Sequence, residues 1–235
     1  MSLRALVSTL FIFIAPLLQA EPISYSRDVQ PIFTAKCVAC HACYDAPCQL
    51  NLGSGEGAQR GASKTPVYDG GRTDEQAPTR LFLDAHSEAA WRRKDFYSVL
   101  NAQGSQAALM ARMLELGHAT PLAANAKLPA ELELGIARKN QCALPEEFAS
   151  YAAKRPAEGM PFAVTGLEPQ EYQTLQAWLA AGAPVDQQAL QPSASEAGQI
   201  VEWEALLNAN GARASLVSRW LYEHLFIAHL YFAGG

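Results

Sequence analysis

Residues 37–53, CVACHACYDAPCQLNLG, set four cysteines within twelve positions and place a histidine directly behind the second. Cys37-Val38-Ala39-Cys40-His41 fits C-x-x-C-H, the attachment pattern of c-type haem. The spacing has a chemical reason. Two thiols one helical turn apart can add to the two vinyl groups on one porphyrin edge, and the next residue then offers its imidazole to the iron. The plainer alternatives are a fortuitous C-x-x-C beside a histidine, or a redox dithiol. An export leader and a helix running into the motif favour haem over both.

Two other sulfur sites compete for the same run. Cys37, Cys40, Cys43 and Cys48 follow C-x2-C-x2-C-x4-C, one residue longer than the bacterial ferredoxin spacing. The extra residue spoils the register, and Pro47 precedes the last cysteine instead of following it. The leader also lacks the twin-arginine pair that export of a prefolded cluster protein would use. Zinc would need Cys43 and Cys48 as a second ligand pair at an unusual gap. One covalently bound haem c, held by Cys37 and Cys40 and ligated by His41, is the expected cofactor.

The chain has 235 residues, a formal charge of −5 and a 49% apolar content that suits a packed globular protein. No Lys or Arg block stands out, which argues against a nucleic-acid partner. The first twenty residues are a different material. Arg4 precedes an almost wholly apolar run from Ala5 to Leu18, and Ala20 supplies the small residue at a cleavage site. The run is short of the roughly 20 residues a bilayer span needs. Residues 1–20 therefore read as a signal peptide cleaved after Ala20, and the destination as an oxidising compartment.

No strand run of any length appears, so the chain is expected to be mainly α. Glu21–His41 reads as a helix capped by Ser26 or Asp28, with Pro31 in its first turn. Asp45–Gln76 reads as a glycine-punctuated loop. Thr79–Gly117 looks mostly helical with a break near Gly104, and Leu109, Met113 and Leu116 recur at helical spacing. Glu146–Arg155 suggests a short helix. Glu168–Ala181 suggests a firmer one, with a Leu175, Trp178 and Leu179 stripe and Gly182 as its stop. Pro184–Gly198 reads as a linker. Ala214–Phe232 is apolar on nearly every side, a composition that normally lies buried; Arg219, Glu223, His224 and His229 make it a poor membrane span. The expectation is an N-terminal fragment of a longer protein.

Gly159-Met160-Pro161-Phe162 precedes the Glu168–Ala181 helix and offers a thioether on a proline-stiffened loop, suited to the sixth position of haem iron. Met160 could equally be core filler like Met110 and Met113. His86, His118, His224 and His229 are the fallback ligands. Cys43, Cys48 and Cys142 leave one disulfide and one free thiol. Cys48–Cys142 would staple the loop after the haem motif to the segment approaching Met160, and Cys43–Cys48 is the local alternative.

These residues together resemble the bacterial periplasmic fatty acid cis/trans isomerases, which carry haem c. The run CVACHACYDAPCQLNLGSGEGAQRGASK carries most of the likeness; VYDGGRTDEQAPTRLF, RPAEGMPF and YEHLFIAHLYF support it. The likeness extends from about Glu21 to the end of the chain, and matches the N-terminal haem-bearing part of longer proteins. EGMPFAVTGLEPQEYQTLQAWLAAGAP is also close to the closing stretch of many class I cytochromes c. The implied architecture is a cytochrome c-like haem domain over residues 21–190, with a loop-rich and helical insertion at about 42–159. A linker and the first helices of a further region would follow over 191–235.

The resemblance implies a periplasmic enzyme that converts cis to trans double bonds in the acyl chains of membrane phospholipids. It would need no nicotinamide cofactor, would have the haem iron as its catalytic centre, and would stiffen the membrane under stress. Cys37 and Cys40 would hold the haem and His41 would ligate it; Met160 follows from position alone. The rival reading is a periplasmic mono-haem electron-transfer cytochrome, against which the long stretch between His41 and Met160 speaks. A haem sensor module has nothing specific in its favour. Arg60, Lys64, Arg72 and Arg80 offer charge for lipid phosphates, with a solvated loop face as the plainer reading.

Overall fold

The computed structural model describes residues 21–42, 46–65, 79–104, 106–130, 132, 134, 140–186, 192–225 and 232–233. The leader, Cys43, Arg72 and His229 lie outside the described residues. Among the described residues, eight α-helices, one π-helical turn, two 3₁₀ turns and isolated β-bridges make up the regular structure. The mainly helical expectation is correct.

Ser24 opens the folded chain with a reciprocal cap. Its hydroxyl accepts from the Arg27 amide at 3.2 Å, and its own amide donates to Asp28 Oδ2 at 2.8 Å. Asp28 is thus the partner of the cap, and Ser24 the cap itself, rather than Ser26 or Asp28. A π-helical turn, Tyr25–Val29, then runs into α1, Gln30–Lys36, with Pro31 in the first turn. The carboxylate of Asp186 accepts from Ser24 Oγ at 2.6 Å and from the Ser26 amide at 3.2 Å, so the segment around Asp186 is fastened to this helix start.

The core forms where α1 and its lead-in meet α6, Pro169–Ala180. Tyr25, Phe33 and Trp178 pack as an aromatic triad with centroids 5.7–6.2 Å apart. Trp178 satisfies its indole N–H on Pro184 O at 2.9 Å. Leu175, Trp178 and Leu179 are all buried, as the stripe predicts. Gly182, at φ +89°, lets the chain turn off the helix end.

Two segments depart from the sequence reading. The stretch read as loop contains α2, Gly55–Arg60, begun by Ser54, whose hydroxyl accepts from the Gly57 amide at 3.2 Å. The stretch read as mostly helical before Gly104 holds only α3, Glu88–Arg92. Asp95, at φ +63°, turns the chain there, and Tyr97 bridges antiparallel to Ala62. That tertiary pairing competes with helix continuation and wins.

α4, Leu109–Ala119, packs on α6 through Leu109, Met110, Ala111 and Leu114. This face is rotated from the expected Leu109, Met113, Leu116 stripe. Apolar residues surround much of α4, so two phases were open; the Met110 amide on Val99 O and Gln176 Nε2 on Ala111 O, each 2.9 Å, select one. A short 3₁₀ turn leads into α5, Phe148–Lys154.

α7, Ala194–Leu207, begins inside the expected linker, capped by Ser193. It packs against α8, Ala212–Leu225, and neither has a buried residue among those described. The apolar side chains of α8 are exposed, Leu216 by 68% and Trp220 by 55%, although such a composition normally lies buried. No described helix is long and apolar enough to cross a membrane.

Candidate functional site

α1 ends at Lys36, and residues 37–41 wind on as one further turn. The Cys37 carbonyl accepts from the amides of Cys40 at 3.0 Å and His41 at 2.9 Å. The C-x-x-C-H residues therefore share one turn at the end of a core helix. Both thiols are free, Cys37 half-buried and Cys40 exposed. Burial, then proximity to Cys40, pushes the Cys37 thiol up to about 12. A redox dithiol needs a stabilised thiolate, which is the opposite perturbation.

His41 is half-buried, and its Nδ1 lies 3.3 Å from Leu50 O. A carbonyl only accepts, so Nδ1 carries the proton and Nε2 keeps its lone pair for a metal. Burial lowers the imidazole pKa, against the smaller opposing effect of the Leu50 hydrogen bond, which keeps the ring neutral. The Leu50–Leu52 segment is held in place by two further bonds: the Leu52 amide donates to His41 O at 2.6 Å, and Asn51 Nδ2 donates to Ala42 O at 3.1 Å. C-x-x-C-H does not contain Leu50, so the motif alone could not reveal this orienting contact.

Cys48 is bonded to Cys142, with Cα atoms 5.5 Å apart. Its sulfur is therefore not available to a four-cysteine cluster or zinc site with Cys37, Cys40 and Cys43. No group of three or more His, Cys, Asp or Glu side chains suited to a metal ion occurs among the described residues.

Met160 is half-buried on the rim of the same core that Cys37 borders. Its amide donates to Met113 O at 2.9 Å, and a cis peptide joins it to Pro161. Gly117 on α4 and Gly159 meet backbone to backbone, so an added Cβ on either would lie within 2.8 Å of main-chain atoms of the other segment. α4 thus fixes the position of the methionine loop. Among the other candidate ligands, His118 stacks on Tyr172 at 4.1 Å, and His224 lies tilted against Trp220 with ring centroids 4.3 Å apart. His86 lines a separate cleft.

The basic residues read as one loop face are dispersed. Lys64 pairs with Glu147 at 2.6 Å and Arg80 with Asp84 at 2.8 Å. Arg60 is buried on α2.

The family model for fatty acid cis/trans isomerase matches residues 76–235, more than half of the chain. The chain belongs to the fatty acid cis/trans isomerase family. It is therefore an isomerase of unsaturated fatty acids. The matched region of this isomerase holds α3 to α8, Cys142 and Met160, and begins after the Cys37–His41 turn. No curated protein and no solved structure matches the chain.

Proposed function

We propose that this isomerase works with one covalent haem c in a cytochrome c-like domain over residues 21–190, and acts on acyl chains of membrane phospholipids in the periplasm. Export would follow from the leader, cleaved after Ala20. Cys37 and Cys40 would hold the haem through thioether bonds, and His41 and Met160 would supply donor atoms to its iron. The observation that carries this reading is the His41 ring, held neutral, with Nδ1 engaged by Leu50 O and Nε2 left as the metal donor, on a turn with two free thiols.

A haem bound there supplies an electron-poor iron that can draw density from a C=C bond and lower its barrier to rotation. The chain's own residues do the positioning. α1 carries the attachment turn, Leu50 sets the histidine tautomer, and the Gly117–Gly159 contact sets the height of Met160. No bond migrates and no nicotinamide is consumed, because the double bond re-forms between the same carbons.

The test is expression alongside the haem-attachment machinery. A c-type pyridine haemochrome is expected, with its loss in Cys37→Ala, and a raised trans/cis ratio in phospholipid acyl chains of the expressing cells. Isomerisation persisting in haem-free His41→Ala protein would overturn the haem role.

A further inference from the structure

The carbonyl that orients His41 follows two residues in an unfavourable backbone conformation. Cys48 and Gln49, directly before Leu50, are left-handed at φ +57° and +52°. Neither is glycine, and such a pair persists only where its surroundings over-determine it. Turn bonds use its amides: Gln49 N donates to Ala46 O at 2.7 Å and Leu50 N to Pro47 O at 3.2 Å. The carbonyls are claimed from further away. Cys48 O accepts from the Ser63 amide at 2.8 Å, and Leu52 O from Gln30 Nε2 at 3.1 Å. Gln49 O accepts from Nη2 of Arg60. That last bond acts on the peptide joining Gln49 to Leu50, immediately ahead of the Leu50 carbonyl.

Arg60 is anchored at every point along its length. It ends α2 and is 5% exposed. Its own carbonyl accepts from Arg92 Nη1 at 2.7 Å, and beyond it Ala62 exchanges backbone bonds of 3.0 and 2.7 Å with Tyr97. The guanidinium rests against Trp91 and Phe96, whose ring centroids lie 5.4 and 4.9 Å from Cζ. Nη1 donates to Thr79 O at 2.9 Å, and the planar fork then leaves Nη2 little freedom of direction. An apolar side chain would fill this space without the cost of burying a charge. What arginine alone supplies is a rigid fork that holds two carbonyls at a fixed separation.

We propose that Arg60 is a positioning residue for His41, acting through the Gln49–Leu50 peptide without touching the ring. Arg60 fixes the Gln49 carbonyl, the fixed peptide aims Leu50 O, and Leu50 O, 3.3 Å from Nδ1, keeps the proton there and Nε2 free for iron. The role rests on the haem reading above and adds to it the residue that supports its histidine.

The test reads the two ring nitrogens of His41 by ¹⁵N NMR in the haem-free full chain, at about pH 8, where an ordinary imidazole is neutral. Wild type is expected to show the Nδ1–H tautomer. In Arg60→Met, which keeps the packing against Trp91 and Phe96, the ratio of Nδ1–H to Nε2–H should fall roughly five- to tenfold, the worth of one hydrogen bond. Arg60→Lys keeps the charge, but one ammonium cannot span both carbonyls, so a smaller fall in the same direction is expected. That variant decides the matter if Arg60→Met does not fold. Leu114→Ala, in the core face of α4, lowers stability without touching this segment and should leave the ratio at the wild-type value. In haem-loaded protein the reduction potential should rise in Arg60→Met and not in Leu114→Ala, because an imidazole that no longer donates from Nδ1 is a poorer donor to iron. A ratio unchanged in the Arg60 variants, or one that falls equally in Leu114→Ala, would overturn the proposal. So would an unchanged potential in loaded Arg60→Met. Wild-type chain that takes up no haem sinks the haem reading instead, and the NMR result on the haem-free chain still decides whether Arg60 places the ring.

Discussion

Gly117→Ala tests how α4 positions the methionine loop. An ideal Cβ on Gly117 falls 2.2 Å from Met160 O, 2.7 Å from its C and 2.8 Å from its N. Neither Gly117 nor Gly159 has a positive φ, so alanine's backbone conformation is allowed and the whole penalty is steric. Ordinary contact begins at 3.4 Å, so the Met160 carbonyl must retreat by about 1.2 Å. That movement also breaks the 2.9 Å bond from the Met160 amide to Met113 O.

Overpacking of this kind costs about 1–3 kcal/mol and the lost hydrogen bond about 1 kcal/mol. Replacing a helical glycine returns about 1 kcal/mol. The net is a loss of roughly 1–3 kcal/mol, a fall in Tm of several degrees for a chain of this size. Gly198→Ala on α7 is the control: its Cβ meets nothing within 4 Å, so only the helix-propensity gain remains and stability should rise or hold. Urea unfolding of the three proteins decides the matter. In haem-loaded Gly117→Ala protein the thioether–iron absorption band should weaken while the pyridine haemochrome stays unchanged. A Gly117→Ala midpoint equal to or above wild type would refute the backbone-contact reasoning.

Two further outcomes follow from the same structure. The Cys48–Cys142 bond spans a sequence separation of 94, so the double Cys48→Ser, Cys142→Ser protein should lose roughly 4–5 kcal/mol by loop entropy; a denaturation curve that barely moves would show that another constraint closes that loop. Hydrogen bonds from Ser24 and Ser26 hold the Asp186 carboxyl below its usual value of 3.8. The stabilisation is therefore complete above the unfolded pKa and disappears as pH falls through the folded one. Asp186→Asn should lower stability at neutral pH and flatten the acid limb below about pH 4; parallel wild-type and variant curves across that window would count against the contact.

The helical class, the α6 stripe of Leu175, Trp178 and Leu179, and the family are all legible in local pattern. Those signals are local: helical period, caps and residue identity survive without knowing what lies opposite. The C-x-x-C-H turn belongs with them, because its spacing is its chemistry. The remaining features are set by contacts between distant segments. The phase of α4 depends on Val99 and Gln176, the end of α3 on a bridge to Ala62, and the Cys48 pairing on where the chain brings Cys142. The His41 tautomer depends on Leu50 O, and the burial of Arg60 depends on Thr79, Trp91 and Phe96. Each of these is set by a partner distant in sequence or by a neighbouring carbonyl that carries no residue code, and hydrogen bonding and steric contact act through space, where local pattern has no reach.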